Sequence, residues 1–511
     1  MRVKHQVRTH FSDLPVLLSI TLVGLMLRLY KLGSQSIWGD EFLTLSKYSA
    51  GHDLADVFGR IWHAAAHPPL YFLIVHYWYL IGKSEFMLRF PSAVFGILCI
   101  PAAYALANTL FGKSTARITA ALVAFSPIAI WYSQEARMYS LQLLLGLLAT
   151  LYFVKIWREP KAKTVAAYVL LMIAGLFTHM ATVSLAAAHG IFAFTESMRK
   201  PKRLAAWVGI QLLVILGFSP WLMNIVNVRQ HASGELRIGY DRPSSLIDVG
   251  YGLYTFCVGY SIGPSVAELH EKTGMSSVKP YAPLVGLSCL VFGTLVVLGL
   301  IRARRIDKWA FWFLLVMLAV PAILAAAATL LPHIPLNPRY MLVAVIPYWM
   351  VLALGIEFAI QRKAWRVLPV AASVLLLFSI YNDYFQPRYA KQDMRSAVTY
   401  LDAHTRSGDA IIISSIELGG PFIYYHKSSE IPYFGYPEKP GLVDPGKLHG
   451  DMRKLSAGKK RVWLLLGRTW SSDPKNLIPG YFSSNGQRLE SRRYNGVSLF
   501  CYDTPPTSHI K

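Results

Sequence analysis

The sequence predicts a polytopic α-helical membrane protein with about eleven spans and a soluble α/β domain at its C-terminal end. Of the 511 residues, 54% are hydrophobic and the mean hydropathy is +0.38, which is too apolar for an ordinary soluble protein. Several apolar runs reach the roughly 20 residues needed to cross the hydrocarbon of a bilayer. After about residue 384 the long apolar runs end, so we divide the chain into a membrane domain, 1–384, and a second domain, 385–511.

The predicted spans are read from apolar runs of helical length. Several of them are short or contain proline, so their ends are uncertain by several residues. The eleven segments are 14–30, 89–110, 116–131, 139–156, 164–177, 181–195, 204–223, 281–301, 309–330, 340–359 and 367–384.

Clusters of lysine and arginine predict the orientation of the chain. They occupy every second connection, at residues 113–117, 158–163, 199–203, 302–308 and 362–366, and the N-terminus is basic too. The positive-inside rule places all of them in the cytoplasm. Much of the net charge of +23 is explained in this way, and a nucleic-acid partner is not expected.

The same orientation limits which apolar segments cross. Segment 68–82, headed by two prolines, and segment 245–262 must both stay outside, as interfacial or re-entrant helices. The predicted external regions are therefore a first loop, 31–88, a large loop, 224–280, and everything after the last span. Three short connections, 133–137, 178–179 and 332–339, lie on the same side. All candidate site residues fall on this face.

The C-terminal region has the pattern of an α/β domain. Asp393 is a candidate N-cap for a helix over 394–403, which a Gly-Asp turn follows. Segments 410–414 and 461–466 are predicted to be buried strands, and 497–502 alternates like a further strand.

An acidic pair, Asp40 and Glu41, follows the first predicted span in the stretch SIWGDEF. A carboxylate inside the hydrocarbon costs about 3 kcal/mol, so an acidic pair at this depth is usually retained for function. The structural alternative is a solvated pair at a helix end. A carboxylate beside an acceptor hydroxyl or amine acts as a general base when its surroundings adjust its pKa.

Histidines lie farther along the same loop. His67 precedes Pro68 and Pro69, which fix the backbone at the head of the interfacial helix. His63 and His67 are four residues apart, so together with Asp40 they form a candidate divalent-metal site. The alternative is a pair of loop histidines bonded to water or to carbonyl groups.

Two arginines are candidates for binding phosphate. Arg137 lies with Glu135 in the short connection 132–139, and Arg339 precedes Tyr340 at the outer end of a span. Arginine suits bidentate capture of a phosphate. The structural alternative is that these side chains extend to the lipid headgroups.

Four motifs recur in order along the predicted outer face. They are the acidic pair, His67-Pro68-Pro69, the run RFPSA at 89–93 and the connection 133–139. Together they resemble the polyprenyl-phosphate-sugar-dependent glycosyltransferases of the GT-C fold. The nearest groups are the family 39 protein mannosyltransferases and the aminoarabinose or RgtA/B/C/D-like transferases. The likeness covers roughly residues 10–385.

This resemblance implies an inverting transfer from a lipid-phosphate sugar. Asp40 matches the position of the catalytic acid residue, and Glu41 would be a helper or an alternative base. The phosphate-facing role is implied for Arg137, for Arg339 with Tyr340 beside it, and for His67.

Two further implications concern Glu135 and the histidine. Glu135 would orient Arg137 or the acceptor. Aminoarabinose transferases carry a lysine where this chain has His67, which leaves the charge of the residue at neutral pH open. The resemblance requires no cofactor, and since metal use varies among the relatives, a divalent cation stays a candidate only.

We therefore expect a multi-pass glycosyltransferase in the cytoplasmic (inner) membrane, with a cytoplasmic N-terminus and an extracytoplasmic C-terminal domain. Its expected partners are a polyprenyl-phosphate sugar, membrane lipids, and a lipid, glycan or protein acceptor. The competing class is a lipid or glycan transporter or flippase without transferase activity, which predicts charges deep in the spans and pseudo-symmetric halves. A polysaccharide polymerase or ligase is a third alternative.

Overall fold

The structure is a computed structural model that describes residues 13–47, 53–64, 67–231, 246–271, 275–329, 337–428, 430–439 and 441–504. Up to residue 385 the described chain is helical. Its helices are α1 (Leu14–Leu29), α2 (Gly39–Phe42), α3 (Leu54–Ala64), α4 (Leu70–Tyr79), α5 (Glu85–Phe111), α6 (Lys113–Phe125), α7 (Pro127–Ser133), α8 (Tyr139–Arg158), α9 (Ala162–Thr178), α10 (Thr182–Ser197), α11 (Pro201–His231), α12 (Leu246–Val258), α13 (Val266–Glu271), α14 (Met275–Val278), α15 (Ala282–Ile306), α16 (Lys308–Ala328), α17 (Val345–Ile360) and α18 (Val367–Phe385).

All eleven predicted spans are helical, but they differ in length. Seven helical segments of the described chain are long and apolar enough to cross a membrane, and the bent pair α6–α7 makes an eighth. The other three, α1, α9 and α10, have 16 or 17 residues. At 1.5 Å per residue such helices are shorter than the ~30 Å hydrocarbon layer. Of the eleven predicted spans, seven or eight are therefore long and apolar enough to cross a membrane, and three are shorter. Helix α4, with 10 residues, is too short to cross, as expected for segment 68–82.

A buried arginine stabilises the break between α6 and α7. The two helices meet at 54°, where Pro127 cannot donate the hydrogen bond that Val123 accepts in a continuous helix. The guanidinium of Arg28, fully buried, donates to the carbonyls of Val123 at 2.9 Å and Ala124 at 3.1 Å. The chain can therefore turn after α7 and place the connection 134–138 beside the first loop.

Helices α15 and α17 pack through a pair of glycines. A Cβ added at Gly299 would lie 1.9 Å from the carbonyl oxygen of Val351, and one added at Gly355 would lie 1.9 Å from that of Leu295. The backbones can approach this closely only because neither residue has a side chain. This contact fixes α17, which continues the 3₁₀ turn Pro338–Ala344 that carries Arg339.

The C-terminal region folds as the predicted α/β domain. Strands β1, β3 and β5 confirm the three predicted strands, and Asp393 accepts the amide of Ser396 as the N-cap. Its elements are α19 (Met394–His404), β1 (Asp409–Ser414), α20 (Gly419–Tyr425), β2 (Tyr433–Tyr436), α21 (Pro445–Ser456), β3 (Arg461–Leu466), α22 (Thr469–Ser472), α23 (Leu477–Asn485), β4 (Arg488–Tyr494) and β5 (Val497–Asp503).

The five strands form one sheet in the order β2-β1-β3-β5-β4. Strand β1 runs parallel to β2 and β3, whereas β5 is antiparallel to β3 and β4. Apolar side chains on both faces of the sheet form two small cores. Strands β2 and β4 were not predicted, because β2 has only four residues and β4 is a polar strand at the sheet edge.

The C-terminal domain docks onto the first loop through polar contacts. Arg395 donates to Glu85 at 2.7 Å and to the carbonyl of Gly33 at 3.1 Å. The hydroxyl of Tyr425 accepts the amide of Ile37 at 2.8 Å and donates to Glu85 at 2.9 Å. The domain thus covers the segment that carries the acidic pair.

Replacing Gly299 by alanine tests the glycine contact. We expect Gly299→Ala to destabilise the protein by about 1–3 kcal/mol, because the new methyl group must displace backbone. Gly293→Ala on the same helix is the control, since a Cβ there meets nothing within 4 Å and alanine favours a helix. The midpoint of thermal unfolding in detergent should be lower for Gly299→Ala than for the wild type, and it should not fall for Gly293→Ala. Equal midpoints for the two variants would contradict the close packing.

Candidate active site

The candidate site lies where the first loop, the connection 134–138 and the 3₁₀ turn Pro338–Ala344 meet beneath the C-terminal domain. The four motifs seen in the sequence converge here through direct hydrogen bonds. Their contacts separate side chains that hold the site together from side chains that face a ligand.

Glu41 forms a buried, bidentate ion pair with Arg89. The Nε and Nη2 atoms of Arg89 each lie 2.8 Å from a carboxylate oxygen of Glu41, and both side chains are at most 1% exposed. The remaining donors of Arg89 bond the carbonyls of Leu32, Gln35 and Ser36. All five N–H groups of this guanidinium are therefore used within the first loop.

Glu41 also fixes the connection after α7. Its Oε1 accepts the amide of Ala136 at 2.9 Å. Burial alone would raise the pKa of Glu41, but the charges of Arg89 and Lys391 and the hydrogen bonds lower it to about 2. Glu41 is thus an ionised structural anchor, and the two predicted alternatives for the base, Asp40 and Glu41, differ sharply in their surroundings.

Asp40 pairs with a residue 299 positions away in the chain. Its Oδ2 lies 2.8 Å from Nη1 of Arg339, and the two side chains are 27% and 23% exposed. Burial would raise the pKa of Asp40, but Arg137 and Arg339 lower it to about 2. The carboxylate is therefore ionised and accessible, and it lies beside a cation that could bind an anionic ligand.

Arg137 is held from several sides, and 2% of it is exposed. Its Nη1 donates to the carbonyl of Asp40 and to Oγ1 of Thr44, both at 3.2 Å. Its own carbonyl accepts the hydroxyl of Ser92 at 3.0 Å, and Ser92 in turn bonds the hydroxyl of Tyr71 at 2.8 Å. The loop that carries the acidic pair thus holds the guanidinium of Arg137, and the motif at 89–93 holds its backbone carbonyl.

His67 contributes a neutral ring. Its Nε2 lies 3.3 Å from Nη2 of Arg137, so the guanidinium donates and the imidazole accepts. Burial, together with the charge of Arg137, holds the pKa of His67 well below its ordinary value. His67 therefore positions Arg137 and carries no charge of its own at neutral pH, which answers for this structure the question left open by the sequence.

The candidate metal site at Asp40, His63 and His67 is not formed. His63 is exposed on α3, whereas His67 is bonded to Arg137. Among the residues that the structure describes, no three His, Cys, Asp or Glu side chains are grouped so that they could hold a metal ion. Spacing of four residues predicts a shared face only within one helix, and α3 ends at Ala64, before His67.

Aromatic side chains lie next to the guanidinium of Arg339. The guanidinium of Arg339 lies 5.7 Å from the ring centroids of both Tyr139 and Tyr340. The ring of Tyr340 stacks on His179 at 6.3 Å, and burial with the nearby arginines lowers the pKa of His179 to about 3. Tyr340 thus supports Arg339 in a neutral, aromatic setting.

Glu135 pairs with a lysine that follows the last membrane helix. The Nζ atom of Lys391 lies 3.5 Å from Glu135 and 3.7 Å from Glu41, between the rings of Trp38 and Trp131. Burial raises the pKa of Glu135, Lys391 opposes that rise, and the neighbouring carboxylates add to it. Glu135 therefore bonds Lys391 through its side chain, and only its carbonyl contacts Arg137.

A cavity of about 880 Å³ opens between the membrane helices and the C-terminal domain. Arg339 and Glu135 line it, and Asp40 is bonded to Arg339. Aromatic side chains form much of its membrane-side wall: Trp38, Trp131, Tyr132, Tyr251 and Tyr260. A volume of this size and an aromatic lining suit a sugar-sized ligand.

Sequence reasoning missed three residues of this arrangement. Arg89 was noted as part of a motif but not as the partner of Glu41, although an arginine at the head of an apolar segment is itself a signal of a buried pair. Lys391 and Arg468, which reach the site from the C-terminal domain, have no local pattern that predicts them. Only the docking of that domain brings them here.

The chain is similar to known proteins over part of its sequence and most of its fold. The family model for dolichyl-phosphate-mannose-protein mannosyltransferases matches residues 66–223, a stretch that includes His67, Arg89 and the connection 134–138. No curated protein matches the chain by sequence.

Several solved structures share the fold across almost the whole chain. ArnT from Cupriavidus metallidurans bound to undecaprenyl phosphate has a TM-score of 0.56 and 11% identity, with 96% of this chain and 98% of that one covered. The same protein in the apo state has a TM-score of 0.55 and 12% identity, with the same coverage. The archaeal oligosaccharyltransferase AglB from Archaeoglobus fulgidus, in complex with an inhibitory peptide and a dolichol-phosphate, has a TM-score of 0.53 and 13% identity, with 98% and 75% covered.

Neutralising Glu41 should unfold the site, whereas neutralising Asp40 should not. Glu41→Gln leaves the buried charge of Arg89 without its counter-ion. This should lower the free energy of unfolding by about 3–5 kcal/mol. Asp40→Asn removes a partly exposed ion pair. The loss of such a pair usually lowers the free energy of unfolding by no more than about 1 kcal/mol. Thermal unfolding of the two variants in detergent measures this difference. Equal stability would show that Glu41 is not the anchor.

The pH dependence gives a second check on Glu41. Its pKa falls from an ordinary value of 4.5 to about 2 on folding, so its contribution is complete above pH 4.5. That contribution is lost as the pH drops from 4.5 toward 2, because the unfolded state then binds the proton first. The stability gap between wild type and Glu41→Gln should narrow over this window.

Proposed function

We propose that this chain, which has the GT-C fold of membrane glycosyltransferases, transfers a sugar from a polyprenyl-phosphate donor. The acceptor is a hydroxyl or amine of a lipid, glycan or protein at the outer face of the cytoplasmic membrane, and the anomeric centre is inverted. The observation that carries this proposal is the ion pair of Asp40 with Arg339 at the wall of the cavity. It unites a base and a phosphate-binding cation in one place.

Arg339 and Arg137 bind the phosphate of the donor. Each has a buried Nε without a hydrogen-bond partner among the described residues, so each retains a donor for a ligand. Paired guanidinium donors match the oxygens of a phosphate. They also stabilise the negative charge that develops on this phosphate as it leaves.

Asp40 accepts the proton of the acceptor. The acceptor oxygen or nitrogen bonds to the anomeric carbon while the bond from that carbon to the phosphate oxygen breaks, and the bonding pair leaves with the phosphate. The proton of the attacking group passes to the carboxylate of Asp40. Attack on the side opposite to the leaving group inverts the anomeric centre.

Donor binding raises the basicity of Asp40. While Arg137 and Arg339 hold its pKa near 2, the carboxylate is a weak base. A phosphate that takes hydrogen bonds from Arg339 shares this positive charge, so the pKa of Asp40 moves up toward its ordinary value. The base therefore gains strength when a donor is present.

The arrangement of charges supports an outward-facing site. Helix α5 begins close to Arg89 at the site and ends at Phe111, next to the basic cluster 113–117. The basic clusters thus lie at the end of the helices away from the site, and the positive-inside rule assigns that end to the cytoplasm. In this orientation the polyprenyl tail stays in the bilayer while its phosphate meets the arginines.

The solved neighbours agree with a lipid-linked donor. ArnT is bound to undecaprenyl phosphate in one of them, and AglB is in complex with a dolichol-phosphate and a peptide in another. The transferred sugar is a hexose or a pentose.

Asp40→Asn should abolish transfer without loss of the donor site. We expect the transfer rate to drop by roughly 10²- to 10⁴-fold, as is usual when a general base is removed. The assay incubates purified protein with radiolabelled polyprenyl-phosphate sugars and a membrane extract, and follows the label into product. Binding of undecaprenyl phosphate should persist, because Arg339 and Arg137 remain.

Asp56→Asn is the matched control for this experiment. Asp56 lies in the same loop, where it pairs with Arg60 on the exposed side of α3. Its neutralisation should leave transfer unchanged. If no label moves from any donor, or if Asp40→Asn transfers at the wild-type rate, the proposed function is wrong.

A further inference from the structure

The two walls of the cavity differ in charge. All three carboxylates among its described lining residues, Glu135, Asp248 and Glu271, belong to the membrane domain. The wall from the C-terminal domain carries five cations and no carboxylate among the described lining residues: Arg388, Lys391, Arg468, Arg488 and Arg493. A ligand that spans the cavity therefore meets positive charge on the side away from the membrane.

The C-terminal domain presents the ligand-binding edge of its sheet to this cavity. The chain pairs β2 on one side of β1 and β3 on the other, so the strand order reverses between β1 and β3. Crevices at the carboxyl ends of strands at such a point are the usual binding sites of open α/β sheets. Here Gly467, Arg468 and Trp470, which follow β3, line the cavity.

This edge lies against the segment that carries the proposed base. The guanidinium of Arg468 is 6.0 Å from the ring centroid of Trp38, and a Cβ at Gly39 would lie 3.7 Å from the carbonyl oxygen of Glu417. Arg468 also contributes to the lowered pKa of Asp40. A group bound at this edge is therefore close to the carboxylate of Asp40.

Two of the five cations have no carboxylate to balance them. Arg388 pairs with Glu268, Lys391 pairs with Glu135 and Glu41, and Arg468 pairs with Glu417. Arg488 and Arg493, on the edge strand β4, are exposed and form no ion pair with any residue that the structure describes. Their charge is free to meet a ligand.

We propose that the C-terminal domain forms the acceptor subsite and that the acceptor is acidic, a glycan or glycolipid with phosphate or carboxylate groups near the hydroxyl or amine that is glycosylated. This inference rests on the proposed function. Arg137 and Arg339 serve the donor phosphate, whereas Arg488 and Arg493 attract the acceptor. The competing explanation is that these two arginines only protect an edge strand from pairing with other chains.

The test separates a membrane extract by anion exchange into acidic and neutral pools and offers each pool as acceptor with a radiolabelled polyprenyl-phosphate sugar. We expect label in the acidic pool. Treating that pool with phosphatase, or amidating its carboxylates, shows which acidic group is needed, because only one treatment should remove acceptor activity.

The variant Arg488→Gln/Arg493→Gln tests the two arginines directly. Its KM for the acidic pool should rise roughly threefold to tenfold, as expected for two exposed charge contacts. The KM for the donor and the binding of undecaprenyl phosphate should not change. The charge-conserving variant Arg488→Lys/Arg493→Lys should restore the wild-type KM for the acceptor.

Arg453→Gln/Lys454→Gln is the control, since both side chains are exposed on α21 and do not line the cavity. Label in the neutral pool, or an equal KM for both neutralised variants, overturns the acidic acceptor while leaving the transferase intact. A failure of transfer to either pool, in wild type as well, overturns the proposed function and this subsite with it.

Discussion

The buried pair of Glu41 with Arg89 is the interaction on which the rest of the site depends. Two charges at most 1% exposed are tolerated here because every donor of the guanidinium and both carboxylate oxygens are satisfied. The pair joins the first loop to the start of α5 and, through Ala136, to the connection after α7. A buried ion pair adds little to the net stability. It strongly disfavours conformations in which one of the two charges is buried without its partner, because an unpaired buried charge is costly.

While the ion pair of Glu41 with Arg89 holds the first loop in place, the neighbouring residue Asp40 remains accessible. Its partner Arg339 arrives on a turn whose position depends on the close packing of α15 with α17. His67 and Ser92 hold Arg137 beside it without adding charge. Two guanidinium groups thus face one accessible carboxylate at the site. A ligand with a phosphate group would add negative charge beside them. Adjacent residues in the chain, Asp40 and Glu41, consequently have opposite roles.

Much of this architecture could be predicted from the sequence. Apolar length located eleven helical segments, and two buried apolar runs and one alternating run located three of the five strands, because these patterns record burial directly. Only seven or eight of the eleven segments are long and apolar enough to cross a membrane, because α1, α9 and α10 are about as short as the apolar runs that predicted them. The ordered motifs contained Asp40, His67 and Arg137, and the arginine at the outer end of a span predicted Arg339. They could not separate Asp40 from Glu41 or find Lys391, since these depend on contacts between residues far apart in the chain.

Asp40 and Arg339 form an ion pair, and we propose that the phosphate of a donor opens it. A cryo-EM structure of the protein in lipid nanodiscs with undecaprenyl phosphate tests this most directly. We expect phosphate oxygens within about 3 Å of the guanidinium groups of Arg339 and Arg137, with Asp40 moved out of its 2.8 Å contact and facing the cavity. A phosphate bound elsewhere, with the contact between Asp40 and Arg339 intact, would contradict it.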